Sequence, residues 1–401
     1  MLRFIHGADL HFDRSFEGAT GLIPAASQKL QQINPEVLAN IVETACVRKV
    51  DFVLLAGDTF HQSRPSLKAQ GELMAAFRRL AAANIPVYLI FGNHDYYDAQ
   101  RYWFDFPDNV HLFTSSTVES FSGTGRSGET YEITGFSYQE RFETKNKLKE
   151  FPPRSQAVYQ IGLYHGDTGS QPYAPFSLGE MREKGYDYWA LGHIHVPTVL
   201  SEQPPILYPG TPQGHTRKET EVGFVTYVEL TPGNCRKENL LVASWLWQKL
   251  QLDVAHCRTQ KELLAFVEEQ LTSLVLERPT FLQVTLMNVT GDITMMNALA
   301  NGEVQGYLNQ HLWQQKPPRQ IVKLQQAQTL NMKKRLPLPK SQVERILRVY
   351  RDPEIFGDLL DELNSHPVAG SLLGADDQYQ ETVLEAAKEL LATDFILEDE
   401  Q

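Results

Sequence analysis

Cysteine is scarce and scattered: Cys46, Cys235 and Cys257 are the only three in 401 residues. An odd, widely spaced set excludes a disulfide framework and a thiolate metal site, and it suits a reducing compartment such as the cytoplasm. Long hydrophobic runs are missing too. No window approaches the roughly 20 apolar residues of a membrane span. The opening Met-Leu-Arg-Phe-Ile-His6 runs straight into a strand-like segment, so no signal peptide is expected. Nor is there an excess of positive charge. A net charge of −12 argues at first against a nucleic-acid partner. Its distribution reverses that inference, because residues 354–401 hold 13 Asp and Glu against the single Lys388, leaving 36 residues of each sign in the rest of the chain. A neutral body can carry a local basic groove. Internal repeats and low-complexity tracts are also absent.

What is present is a recurring pattern of apolar run, then polar residue. Phe52 to Leu55 form a run without alternation, as expected of a strand buried on both faces. The run stops at Ala56-Gly57, and Asp58 follows. A carboxylate just past a buried strand needs a cation or a donor; taken alone, Asp58 reads first as an N-cap for the segment from Pro65. The pattern recurs four times. Residues 1–8 lead to Asp9-x-His11, Pro86 to Phe91 lead to Asn93-His94-Asp95, Val158 to Tyr164 lead to His165, and Tyr188 to Leu191 lead to His193-x-His195. Between these runs lie helical spacings. One helix is expected from an N-cap at Asn34 to about Arg48, after irregular residues 12–34, and another along Leu67, Leu73, Phe77 and Leu80. Strand and helix alternate, which predicts an α/β architecture.

Asp9, His11, Asp58, Asn93, His94, His165, His193 and His195 are all carboxylates, carboxamides or imidazoles. Such donors suit Mn²⁺ first, with Fe²⁺ or Zn²⁺ as alternatives, over a structural zinc site. Without His94 they are still too many for one ion. Two ions about 3.5–4 Å apart, bridged by a carboxylate, would use them.

Together Asp9-x-His11, Gly57-Asp58-x-x-His61, Gly92-Asn93-His94-Asp95, His165-Gly-Asp167 and Gly192-His193-x-His195 resemble the calcineurin-like metallophosphoesterases. Gly57 to His61 and Tyr208-Pro-Gly-Thr-Pro-Gln213 resemble the SbcD-type DNA repair exonucleases, and Ala8 to Gly18 resembles their bacterial YhaO subgroup. The resemblance implies a two-sheet sandwich flanked by helices over residues 1–250, a small α/β capping domain over 251–330, a linker over 331–340 and a helical, acidic, ATPase-docking segment over 341–401. It assigns one ion to Asp9, His11 and His195 and the other to Asn93, His165 and His193, bridged by Asp58. His94 falls at the proton-transfer position, Asp95 at the carboxylate that orients its imidazole, and His61 at a phosphate-contacting position. The implied activity is a metal-dependent DNA nuclease working with an SMC-like ATPase. A homodimer through Leu67 to Leu80 and Tyr102-Trp-Phe104 is implied as well, although those residues suit a core equally. The rival readings are a stand-alone phosphodiesterase or phosphatase on small phosphoesters, and a scaffold with a dead site. The complete donor set disfavours the last.

Overall fold

In the computed structural model the run after Asp51 forms β2 (Phe52–Ala56), and the alternation hidden inside it becomes visible. Val53 and Leu55 face the helices α1 (Pro24–Val47) and α2 (Leu67–Ala82), while Phe52 and Leu54 face a second sheet. Both faces are apolar because both are covered. The description covers the chain except residues 170–171, 291–292, 328–336, 353–354, 358–376, 395 and 399–401.

Two sheets of six strands carry the fold. The first contains β1 (Leu2–Gly7), β2, β3 (Val87–Ile90) and β4 (Val110–Leu112), all parallel, extended antiparallel beyond β1 by β11 (Phe224–Thr231) and β12 (Asn234–Leu241). The second contains β6 (Thr130–Gly135), β7 (Tyr159–His165), β8 (Tyr188–Gly192) and β10 (Pro205–Tyr208), parallel, edged by antiparallel β5 (Glu119–Thr124) and β9 (Thr198–Glu202). Phe4, Phe52, Tyr88, Tyr131, Ile161 and Tyr188 interleave between the sheets, and the outer face of the second sheet is covered by a separate apolar cluster around Phe136, Phe151, Tyr164 and Trp189. The architecture is thus an α/β two-sheet sandwich flanked by helices.

Two sequence expectations are corrected. Helix α1 begins at Pro24, ten residues ahead of the expected N-cap. Ala26, Leu30 and Ile33 continue the buried stripe of Val37, Leu38 and Ile41, and that burial outweighs Pro35 in the interior. Asn34 is no cap: its Nδ2 donates to the carbonyls of Phe12 and Arg14. The second, left open between a dimer contact and a core, concerns α2: Leu73, Phe77 and Leu80 are buried in the chain's own core, while Leu67 (55% exposed) and Trp103 (77% exposed) remain outside.

The chain divides into two units, Met1–Ala327 and Gln328–Gln401. The first includes a small parallel sheet of β13 (Leu246–Asp253), β14 (Thr280–Met287) and β15 (Arg319–Gln326), packed with α4 (Gln260–Thr272), α5 (Ile293–Ala300) and α6 (Glu303–Leu312). Strand β13 runs across residue 250, where the sequence reading divides the chain. The second unit pairs Pro337–Pro339 with Ile396–Glu398 and packs α7 (Lys340–Val349) against α8 (Asp377–Asp394) through Val343, Leu347 and Leu384. Most of the expected linker, and residues 358–376 of the expected helical segment, lie outside the described residues. No helix among the described residues is long and apolar enough to cross a membrane.

Candidate metal centre

Parallel strands point their carboxyl ends the same way, so β1, β2, β3, β7 and β8 deliver their terminal polar residues to one edge of the sandwich. Close approach there requires glycine. A Cβ on Gly192 would stand 1.9 Å from the Ala56 carbonyl oxygen, and one on Gly92 would stand 2.3 Å from Asp58 Oδ1. Asp9, His11, Asp58 and His193 all have positive φ (52°, 43°, 50° and 114°), a conformation costly for non-glycine residues and concentrated at functional sites.

The structure brings the eight predicted donors together. Ligand atoms of Asp9, His11 and His195 lie within 4.8 Å of one another, as do those of Asp9, Asp58 and His165. Asn93 Oδ1 lies 3.0 Å from His165 Nε2 and 3.2 Å from His193 Nδ1. Asp58 Oδ2 lies 3.9 Å from His11 Nε2 and 3.6 Å from His165 Nε2, between the two groups, while Oδ1 accepts from the His94 backbone N–H at 2.9 Å. Asp9 has both oxygens 3.0 Å from the His193 backbone N–H.

Hydrogen bonds on the far side of each ring test whether this set fits a cation. His165 Nδ1–H donates to the Ala56 carbonyl at 2.9 Å, so its Nε2 lone pair faces Asn93 Oδ1, another acceptor. His195 Nδ1–H donates to Glu219 Oε1 at 2.6 Å, so its Nε2 lone pair faces His11 Nε2 at 3.1 Å. Lone pairs turned toward each other inside a protein are held by a shared proton or a shared metal ion. Charge points the same way. Burial raises the Asp9 carboxyl above its usual range, with Asp58's charge adding to it, and burial pushes His11 well down, with the neighbouring histidines adding to it. Burial likewise lowers His193 to about 4. The lowered His11 and His193 keep their lone pairs free for a metal, and a bound cation would relieve the burial and repulsion that raise Asp9.

Two further histidines border the donors. The rings of His61 and His94 stack at 4.8 Å, and both lie near His11. His94 Nδ1–H donates to the His61 carbonyl at 3.1 Å, which fixes the ring and leaves Nε2 unused. This corrects the role expected of Asp95. Its carboxylate does not orient His94; it is buried and accepts from the backbone N–H groups of Gly92 (2.8 Å), Thr59 (2.8 Å) and Phe60 (3.2 Å), bracing the loops after β2 and β3. Sequence reasoning also missed Glu219. Burial alone would raise its carboxyl, but the His195 hydrogen bond and charge and the N–H groups of His215 and Thr216 outweigh it and hold it below the usual range. Glu219 stands well past the end of β10, so the pattern that found the candidate ligands could not reach it.

The sequence comparisons agree with this geometry. The family described as Calcineurin-like phosphoesterase matches residues 2–197. The Bacillus subtilis protein named "Uncharacterized metallophosphoesterase YhaO" is 36% identical over 278 residues, 68% of this chain and 68% of its own length. The chain belongs to the calcineurin-like metallophosphoesterases. These are phosphoester hydrolases that bind two divalent metals, and the Asp and His groups above are the candidates for holding them here. The "DNA double-strand break repair protein Mre11" of Methanocaldococcus jannaschii is 32% identical over 165 residues, 37% of this chain and 43% of that protein. A component of the nuclease SbcCD of Staphylococcus epidermidis is 22% identical over 227 residues, 50% of this chain and 58% of that protein. The chain therefore spans about half the length of these two relatives.

Proposed function

We propose that this metallophosphoesterase hydrolyses phosphodiester bonds in DNA, as a nuclease of DNA repair. The observation that carries the hydrolytic part is the pair of donor groups meeting at Asp58, with His61 and His94 at their border. The named nuclease and repair relatives support DNA as substrate. One ion would be held by Asp9, His11 and His195, the other by Asn93, His165 and His193, with Asp58 between them. Divalent cations there, Mn²⁺ first in order, supply Lewis acidity and a water that ionises near neutral pH. His94, fixed at Nδ1, presents Nε2 to pass a proton to the leaving oxygen. His61 is kept neutral by burial first and His94 second, and its Nδ1 lies 3.4 Å from His11 Nδ1; that leaves Nε2 to donate to a phosphate oxygen. By the same relatives, an SMC-like ATPase is the proposed partner of residues 341–401. A homodimer is proposed through the surface that Leu67 and Trp103 leave exposed.

The test is hydrolysis by metal-stripped protein given Mn²⁺, Zn²⁺ or Mg²⁺, on open linear duplex, end-blocked duplex and a chromogenic diester. Metal-dependent cutting of DNA is expected. Turnover of the diester with every DNA form left intact would favour a small phosphoester as substrate. Full activity without metal would overturn the mechanism.

A further inference from the structure

The segment from Thr211 to Thr220 lies beyond the strand ends that deliver the donors, yet it reaches them through Glu219. One oxygen of that carboxylate, Oε1, accepts from His195 Nδ1 at 2.6 Å. The other, Oε2, accepts from the backbone N–H groups of His215 (2.8 Å) and Thr216 (2.9 Å). The Arg14 guanidinium stands 4.0 Å from Oε1. A carboxylate bound on both oxygens has one position, and so does the imidazole bound to it.

What fixes the segment itself lies largely in the small α/β sheet. Trp247 Nε1–H of β13 donates to the Gly214 carbonyl at 2.8 Å, and Gln283 Nε2–H of β14 donates to the Arg217 carbonyl at 2.6 Å. Gln213 Nε2 donates to the Trp245 carbonyl at 2.7 Å, just before β13 begins. Trp245 and Trp247 both pack on Phe281 of β14, with ring centroids 4.5 and 4.8 Å apart. From the other side the Glu17 N–H donates to the His215 carbonyl at 2.8 Å. The chain of contacts is continuous: β13 and β14 hold the segment, the segment holds Glu219, and Glu219 holds His195.

We propose that Glu219 is a positioning residue for the metal centre, and that the α/β sheet of residues 246–326 sets one half of that centre through it. The inference rests on the two-metal reading above. A carboxylate on Nδ1–H selects the tautomer whose lone pair is on Nε2 and strengthens that nitrogen as a donor, which is worth about 10–100-fold in metal affinity in such pairs. Asn93, His165 and His193 have no contact with the segment among those described, so the effect belongs to the half containing Asp9, His11 and His195.

The experiment is Mn²⁺ titration of metal-stripped full-length protein by calorimetry, with circular dichroism and a melting curve for each variant. Wild type is expected to take up two ions. Glu219→Ala and Glu219→Gln should weaken one site about 10–100-fold and leave the other unchanged, the amide less than the methyl. Gln283→Ala, which touches no donor, should weaken that same site by a smaller factor. Should Glu219→Ala not fold, the other two variants decide. Wild-type affinity at both sites in Glu219→Gln, or equal weakening of both, would overturn the positioning role. An unchanged Gln283→Ala beside a weakened Glu219→Gln would remove the α/β sheet from it. A wild-type protein that binds no ion would instead overturn the metal reading itself.

Discussion

His94 and Asp58 touch through a backbone N–H, yet their substitutions should separate. Asp58 Oδ2 lies between the two donor groups, so Asp58→Asn, with no negative charge to hold two dications close, should lose bound metal and activity together. Two ions per chain in that variant would refute bridging. His94 has its Nδ1 on a carbonyl and belongs to neither half of the proposed ligand set, so His94→Ala should keep its metal and lose about 10²–10⁴-fold in turnover. Loss of metal in step with activity would make it a ligand. A third residue, outside the donor set, contributes to acid sensitivity. His6 is buried between the sheets, bonded to Tyr188 Oη and the Leu191 carbonyl, and burial takes it from 6.5 down to about 3. Its folded pKa is depressed, so unfolded chains take up the proton first as pH falls. The stability it carries is complete above about pH 6.5 and is lost between there and about pH 3. Each unit in that window costs up to about 1.4 kcal/mol. Urea midpoints at pH 7 and pH 5 should fall less steeply for His6→Gln than for wild type; equal slopes would clear His6 of the effect.

At the scale of elements, the same physics explains what the sequence showed and what it hid. Strands β1, β2, β3, β7 and β8 were legible because burial on both faces demands largely apolar runs, and each run ends in the polar residue it delivers. Seven candidate metal donors and His94 came from that rule alone. The first turns of α1 were hidden because Pro35 marks a boundary in sequence while Ala26 and Ile33 are drawn into the core by tertiary packing. The true role of Asp95, and Glu219 altogether, were hidden for a different reason: Asp95 accepts from Thr59 and Phe60 N–H groups, and Glu219 from a ring nitrogen, all brought from other loops, which no spacing encodes. Glycine was legible as a turn, but its main duty at Gly192 is proximity of the two sheets. Gly192→Ala would drive a methyl into the Ala56 carbonyl and push β8 off β2, carrying His193 with it. A loss at or beyond the upper end of the ~1–3 kcal/mol overpacking range is expected, together with weaker metal binding. Gly179→Ala is the control. A Cβ there meets only Ser177 Oγ at 3.9 Å, inside the helix Leu178–Glu183, so its melting temperature should stay level or rise. Equal melting of the two variants would show that close approach at Gly192 is dispensable.

At the scale of the whole molecule, each of the two units has an apolar cluster of its own among the described residues. Met1–Ala327 contains four apolar clusters, including the one around Val254, Leu282 and Leu308 that lies wholly in the α/β part. In Gln328–Gln401 the described cluster is Val343, Leu347 and Leu384 with Ala387 against it, while Ile346, Val349 and Val383 of the same helices, and Tyr350 just past α7, stay exposed. Burial of apolar side chains is what offsets the ordering entropy of such helices. A second apolar surface laid over the exposed four would help to do so, which is the logic of an amphipathic helix in a partner's groove. The proposed occupant is the coiled coil of an SMC-like ATPase. The 13 acidic residues of 354–401 would steer it where its surface is basic. A chain ending at Ala327 should therefore melt within a few degrees of the full protein, bind the same metal and cut DNA at its basal rate, yet fail to co-purify with the ATPase. Residues 328–401 alone should show little helix by circular dichroism and gain it when the coiled coil is added. A truncated body that unfolds would place the second unit in the catalytic core, and a complex that survives truncation would place the docking surface elsewhere.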